Sequence, residues 1–178
     1  MKTTRALLAG ICLIAALATT TQAGQLTIAV VQYTDARTAE SLAAGFSAVT
    51  LSEVTNSDKV EARDPAIRGG RVLFAQTIPA SSSTPFASST RLGVQRADVT
   101  GRLQAPNLKV EVSIQEGVDV GIRKFSRSVF SGSGALQGTS PTILGIREST
   151  GKTQSAIKGK ATLNNFNYTT LVLAQWEK

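Results

Sequence analysis

The chain contains no histidine, and its single cysteine is Cys12. Without His, the Ser–His and Cys–His pairs that activate many nucleophilic enzymes cannot form. Because Cys12 lies in an N-terminal segment that we predict to be removed, the remaining chain also lacks thiolate ligands for zinc and most other transition metals. It cannot form a disulfide either. These absences predict a protein that is not an enzyme and has no catalytic residue, cofactor or metal site.

Aromatic residues are also scarce, with six Phe, two Tyr and one Trp. Polysaccharide hydrolases use paired carboxylates, and their clefts are usually lined with aromatic side chains. Most acidic residues here alternate with apolar neighbours, as Glu111 does between Val110 and Val112, a pattern typical of a solvent-facing strand surface. A small carboxylate-dependent polysaccharide hydrolase is the alternative function. Its candidate residues are Asp35, Glu40, Glu53, Asp58, Glu61, Asp64, Asp98, Glu111, Glu116, Asp119, Glu148 and Glu177.

Residues 1–23 have the order of a cleavable secretory signal peptide. A basic start precedes an apolar run over Ala6–Ala18, and a polar patch then ends at the small residue Ala23. The run is shorter than the roughly 20 apolar residues that span a membrane. Ile11 stands directly before Cys12, where a lipoprotein signal has a small residue. We therefore expect cleavage after Ala23, with Ala18 as the alternative site, and an exported protein in the periplasm or outside the cell.

The predicted mature part, residues 24–178, is long enough for a single β-rich domain with a sizeable core. Loss of the two basic residues of the signal lowers the formal charge from +7 to +5. The charges are spread along the chain, which indicates a solvated surface and not a nucleic-acid footprint. Attraction to an anionic cell-surface polymer is compatible with this charge. The mature chain without Cys and the form of the signal favour a bacterial source.

The mature chain is mostly β-like in pattern. Leu26–Tyr33 predicts a buried strand, and Thr38–Val49 predicts the one helix, with apolar residues at helical spacing and its first residue as N-cap. Thr50–Val54 and Arg71–Ile78 predict further strands. The stretch Pro79–Thr90, rich in Ser, Thr and Pro, predicts a loop.

Two hairpins are predicted in the second half, each with a two-residue turn that contains Gly between arms of period two. The arms are Lys109–Gln115 with Val118–Phe125, around Glu116-Gly117, and Thr142–Ser149 with Lys152–Lys158, around Thr150-Gly151. A long last strand follows over Leu163–Trp176. The expected fold is mainly β, an antiparallel β-sandwich or partly closed barrel with one short helix near the mature N-terminus. The alternative is an α+β fold with the helix packed on the sheet.

Two motif-like segments overlap near the second hairpin. Gly145 to Thr153 resembles a phosphate-binding loop but has five residues between its glycines where that motif has four. Ser149 and Lys152 match the Ser-x-x-Lys spacing of serine acyl-enzymes. Both chemistries need a helix at this point, and the pattern here is β-like, so we interpret the segment as part of a hairpin.

The predicted function is therefore that of an exported, non-enzymatic β-rich protein that binds or assembles in the cell envelope or at the cell surface. Its expected partners are further copies of itself or other envelope proteins, contacted through sheet edges. A second alternative is a small outer-membrane β-barrel, since apolar and aromatic residues alternate from Phe166 to Trp176 at the C-terminus. The charged end, Glu177-Lys178, departs from that pattern, and we expect no stable membrane anchor.

Overall fold

Two helices and eight strands follow one another in the computed structural model, which describes residues 23–35, 37–92, 95–118, 124–157 and 160–177. The helices are α1 (Ala39–Ser47) and α2 (Leu51–Val54). The strands are β1 (Ala23–Tyr33), β2 (Arg71–Ser81), β3 (Pro85–Leu92), β4 (Gln95–Gln104), β5 (Asn107–Val118), β6 (Lys124–Ala135), β7 (Thr142–Ile157) and β8 (Lys160–Glu177). Apart from Ala23, the predicted signal peptide lies outside the described residues.

The strands form two four-stranded antiparallel sheets that pack face to face. Sheet A has the strand order β2-β1-β8-β7, and sheet B has the order β3-β4-β5-β6. Buried side chains from both sheets form one continuous apolar core. This arrangement confirms the predicted antiparallel β-sandwich. The helices cover the other face of sheet A through a second core, so the packing of helix on sheet that the alternative expected is present as well.

The two central strands of sheet A are buried on both faces. In β1, every residue of Leu26–Val31 is buried, and all of them except Thr27 are apolar. In β8, Val172 and Trp176 face sheet B, whereas Leu171 and Leu173 face the helices. Each such side chain contributes about 1.5–3 kcal/mol of burial energy. These two strands therefore hold three layers together.

Helix α1 confirms the prediction made for residues 38–49. Thr38 is its N-cap, and the Thr38 hydroxyl accepts a hydrogen bond from the Ser41 amide at 3.2 Å. Leu42 and Phe46, one turn apart, are fully buried against sheet A. No helix among the described residues is long and apolar enough to cross a membrane.

The strand predicted over Thr50–Val54 is wrong, because Leu51–Val54 forms the single turn α2. As helical neighbours, Leu51 and Val54 both enter the core beneath the helices. In a strand, alternation would place these two residues on opposite faces. Tertiary burial has therefore overridden the local pattern.

The loop predicted over Pro79–Thr90 is also wrong. Strand β2 runs to Ser81 and β3 begins at Pro85, so only residues 82–84 separate them. Ser83, with a φ of 79°, makes the sharp reversal. Serine and threonine are abundant here because β3 is an exposed edge strand, and its Pro stands at the first position, where no ladder hydrogen bond is lost.

Both predicted hairpins are wrong, because Lys109–Gln115 pairs with residues 127–133, and Thr142–Ser149 lies in the same strand as Lys152. Strand β5 continues through Glu116 and Gly117 to Val118, and β7 continues through Thr150 and Gly151 to Ile157. Strand β5 pairs instead with β6, with Val118 opposite Lys124, and β7 pairs with β8, with Ile157 opposite Lys160. A glycine between two alternating segments fits a hairpin turn and a continuous strand equally well. The local pattern therefore does not distinguish the two structures.

Candidate interaction site

The segment from Gly145 to Thr153 that resembles catalytic or phosphate-binding motifs lies entirely within β7. Its backbone is extended, so no helix begins at Lys152 to hold a phosphate. Positions 149 and 152 are three residues apart on a strand and fall on opposite faces of the sheet. This geometry separates the Ser and Lys that an acyl-enzyme would need together.

Several of the acidic residues considered as candidates have structural partners. Asp35 accepts hydrogen bonds from the Arg37 guanidinium at 2.9 and 3.0 Å, and this bonding holds the Asp35 pKa below its usual value. Asp98 accepts from the Ser89 hydroxyl at 2.7 Å and from Arg96 at 3.0 Å, which likewise lower its pKa. These shifts keep both groups ionised, the opposite of what a general acid requires. No group of three or more His, Cys, Asp or Glu residues that could hold a metal ion occurs in the described part of the chain.

Arg37 links the end of β1 to the loop at residues 65–67. Its guanidinium lies 4.5 Å from the centre of the Tyr33 ring and donates to the carbonyl of Ala66 at 2.6 Å. The Tyr33 hydroxyl donates to the carbonyl of Ile67 at 2.6 Å, and burial raises the Tyr33 pKa. These contacts hold the end of β1 against residues 65–67.

Strands β7 and β8 continue well beyond the sandwich as a two-stranded ribbon. The pairing of β1 with β8 ends at Tyr33 and Thr169, whereas β7 and β8 stay paired as far as Ile157 and Lys160. We call the extension formed by residues 149–157 and 160–168 the ribbon. Its nine residues per strand span roughly 30 Å at the usual rise of a strand. Among the described residues, no strand pairs with either outer edge of the ribbon.

At the base of the ribbon, edge strands β6 and β7 approach each other closely. A Cβ atom on Gly145 would lie 2.7 Å from the Ser131 carbonyl oxygen. Past this contact a cleft of about 240 Å³ opens between the strands. Val129 and Ile146 line it and, with 39% and 43% exposure, are the exposed large hydrophobic residues of the described part. The free edge of β7 therefore begins at Ile146, next to an apolar patch.

The outer edge of β2 is open along only part of its length. Its first residues pair with the chain's own segment at Lys59, through a bridge to Arg71. A groove of about 470 Å³ then runs past consecutive residues Arg71–Ala75, between residues 55–58 on one side and Thr90 and Gln95 on the other. The protein thus covers part of this edge itself and leaves β7 with the longer free edge.

The prediction from sequence missed the ribbon, although one signal pointed to it. The last strand was predicted over Leu163–Trp176, which is longer than either arm of the hairpin proposed before it. A strand of that length needs a partner of matching length, which β7 supplies once it is continued through Gly151. The length of the last strand therefore indicated a long partner strand, whereas Thr150-Gly151 wrongly indicated a turn within that partner.

Comparisons with known proteins give no family. The chain matches no protein-family model and none of the curated proteins. Among solved structures it is similar to the InvG secretin domain β-barrel from the Salmonella SPI-1 injectisome, with 12% identity and a TM-score of 0.27. The match covers 88% of this chain and 61% of that one. A likeness at this TM-score carries no argument about function.

Proposed function

We propose that this chain is an exported, non-enzymatic β-rich protein that binds or assembles as part of the cell envelope or cell surface, through its sheet edges. The ribbon is the observation that carries the proposal, because nine residue pairs extend past β1 without a third strand in the described part. A two-stranded hairpin is marginally stable alone in water, whereas three or more strands with a packed face form a stable sheet. A partner strand would complete the ribbon.

The free edges of the ribbon offer backbone N–H and C=O groups to such a partner. Main-chain hydrogen bonds supply the affinity in strand addition, and alternate side chains supply specificity. The cleft beside Val129 and Ile146 adds an apolar contact at the base. The mildly basic surface is compatible with a weaker, additional contact to anionic cell-surface polymers.

Removal of the ribbon tests this proposal. Residues 150–167 are replaced by Asn-Gly, which joins Ser149 to Tyr168, two directly paired positions, through a two-residue hairpin turn. We expect the shortened protein to keep its cooperative thermal unfolding, because the described residues of both cores lie outside the removed segment. Complexes captured by cross-linking in the envelope fraction should be lost.

The matched control replaces residues 82–84, the turn between β2 and β3, by three glycines. This turn lies at the opposite end of sheet A, since Ser81 pairs with Ala23 and Arg71 with Gln32. The control should retain all complexes. A wild-type protein that forms no complex, or a ribbon deletion that leaves the complexes intact, would contradict the proposal.

A further inference from the structure

The free edge of β7 has a self-complementary sequence. If a second copy lies antiparallel beside it, with a two-fold axis at Thr150, then Glu148 of each copy stands directly opposite Lys152 of the other. Ser149 then stands opposite Gly151, and Ile146 opposite Gln154. Directly opposed residues of opposite charge stabilise an antiparallel pair, and the symmetry provides this pairing twice.

Within one copy, the charge on Glu148 has no counterpart across the strand. Glu148 is paired with Thr169 on β8, and position 152 is paired with Asn165, both neutral residues. Glu148 is exposed and forms no ion pair in the part of the chain that the structure describes. The charge on Glu148 is therefore available to a strand on the outer side of β7.

The packing at the base of the ribbon selects this register. An axis between Arg147 and Glu148 would also join opposite charges, but it would run the second strand across Gly145. Strand β6 lies close against β7 at that position, since the Ser131 carbonyl oxygen lies 2.7 Å from where a Gly145 Cβ would be. With the axis at Thr150, the paired stretch is residues 146–154, which leaves out Gly145 and begins at the cleft beside Ile146.

We infer that a second copy of this chain covers the outer edge of β7, antiparallel over residues 146–154. This inference rests on the proposed function and names its partner. The two ribbons then form one four-stranded sheet, in the order β8-β7-β7-β8, which passes the three-strand threshold for a stable sheet. The interface is isologous, so it closes as a dimer and does not extend into a fibre.

Charge reversal tests the register. The variant E148K places a positive charge opposite Lys152, and K152E places a negative charge opposite Glu148. Each should weaken dimerisation of the mature protein by about tenfold or more, because two attractive pairs become repulsive. The double variant E148K/K152E exchanges the charges and should restore the dimer. Mass measured by light scattering across a dilution series gives the dissociation constants.

A cysteine variant tests the axis itself. The mature sequence has no Cys, so T150C carries one thiol per chain, located at the two-fold axis. Mild oxidation should yield a covalent dimer, whereas S133C, at an exposed position of β6, should give no covalent dimer. Equal cross-linking of both variants would overturn the inference, as would a double charge variant that dimerises no better than the single ones.

The outcomes also separate this inference from the proposal on which it rests. A wild-type monomer that still forms ribbon-dependent complexes with another envelope protein would overturn the second-copy partner and leave the proposed function standing. A wild-type monomer without any ribbon-dependent complex would overturn both.

Discussion

Gln175 is a buried amide that joins the last strand to the helices. Its side chain is 3% exposed, and its Oε1 accepts the Leu51 backbone N–H at 2.5 Å. Its Nε2 donates to Glu177 at 2.9 Å. Thr50, the N-cap of α2, provides no side-chain hydrogen bond. Gln175 therefore satisfies a helix N-terminus from a distant strand, an arrangement that local sequence does not reveal.

Substitution of this amide should be costly. In Q175L, the buried Leu51 N–H loses its acceptor, and we expect the free energy of unfolding to fall by about 1–3 kcal/mol. Urea unfolding with a constant slope measures this loss. Q104L, at an exposed position of β4, should change stability by no more than about 0.5 kcal/mol. Equal effects of the two substitutions would show that the hydrogen bond contributes nothing.

At the scale of elements, the contact between β6 and β7 depends on glycines in both strands. A Cβ on Gly132 would lie 2.7 Å from the Leu144 Cβ and 2.8 Å from its carbonyl carbon. Leu144 is buried in the core between the sheets, so it cannot move aside freely. The small residues therefore let the edges of the two sheets meet on this side of the sandwich.

Alanine substitutions separate this contact from a general effect of glycine. G132A should lower stability by about 1–3 kcal/mol, because Leu144 and its backbone must shift. G134A, two residues along β6, places its Cβ 3.4 Å from the end of the Leu144 side chain and should be tolerated far better. Thermal unfolding of both variants provides the comparison. A G134A variant as unstable as G132A would contradict the role assigned to close approach.

At the scale of the whole molecule, the described residues form three layers. The helices, sheet A and sheet B are joined through two cores that use described residues from Leu26 onward. Cleavage after Ala23 would remove only the first residue of β1, and the pairing of Gly24 with Ala80 would remain. The predicted processing site is therefore compatible with the fold.

The processing site can be read from the mass of the exported product. Expressed in a bacterium with a working secretion pathway, the full chain should yield a protein that begins at Gly24, because the apolar run and the small residue at its boundary direct cleavage. Cleavage after Ala18, the alternative, would leave five more residues. A23R should block the preferred site. A wild-type product that keeps its first residue would contradict the prediction.

The sequence by itself determined the fold class, most strand centres and the helix at Thr38. These features follow from local physics: alternation sets which residues enter a core, and a hydroxyl before an apolar period of 3.6 begins a helix. It also predicted the exported leader, which lies almost entirely outside the described residues. The faces of β8 follow the same alternation, with Leu171 and Leu173 opposite Val172 and Trp176.

Only the tertiary structure decided where strands end and which edges stay open. Gly117 and Gly151 suit a turn or a strand equally well, and the partner strand resolves that choice by extending past them. The same dependence on partners made α2 a helix and β3 a strand. The ribbon shows this dependence most clearly, because β1 ends at Tyr33 while β7 and β8 continue. The local sequence of a strand does not indicate the length of its neighbour.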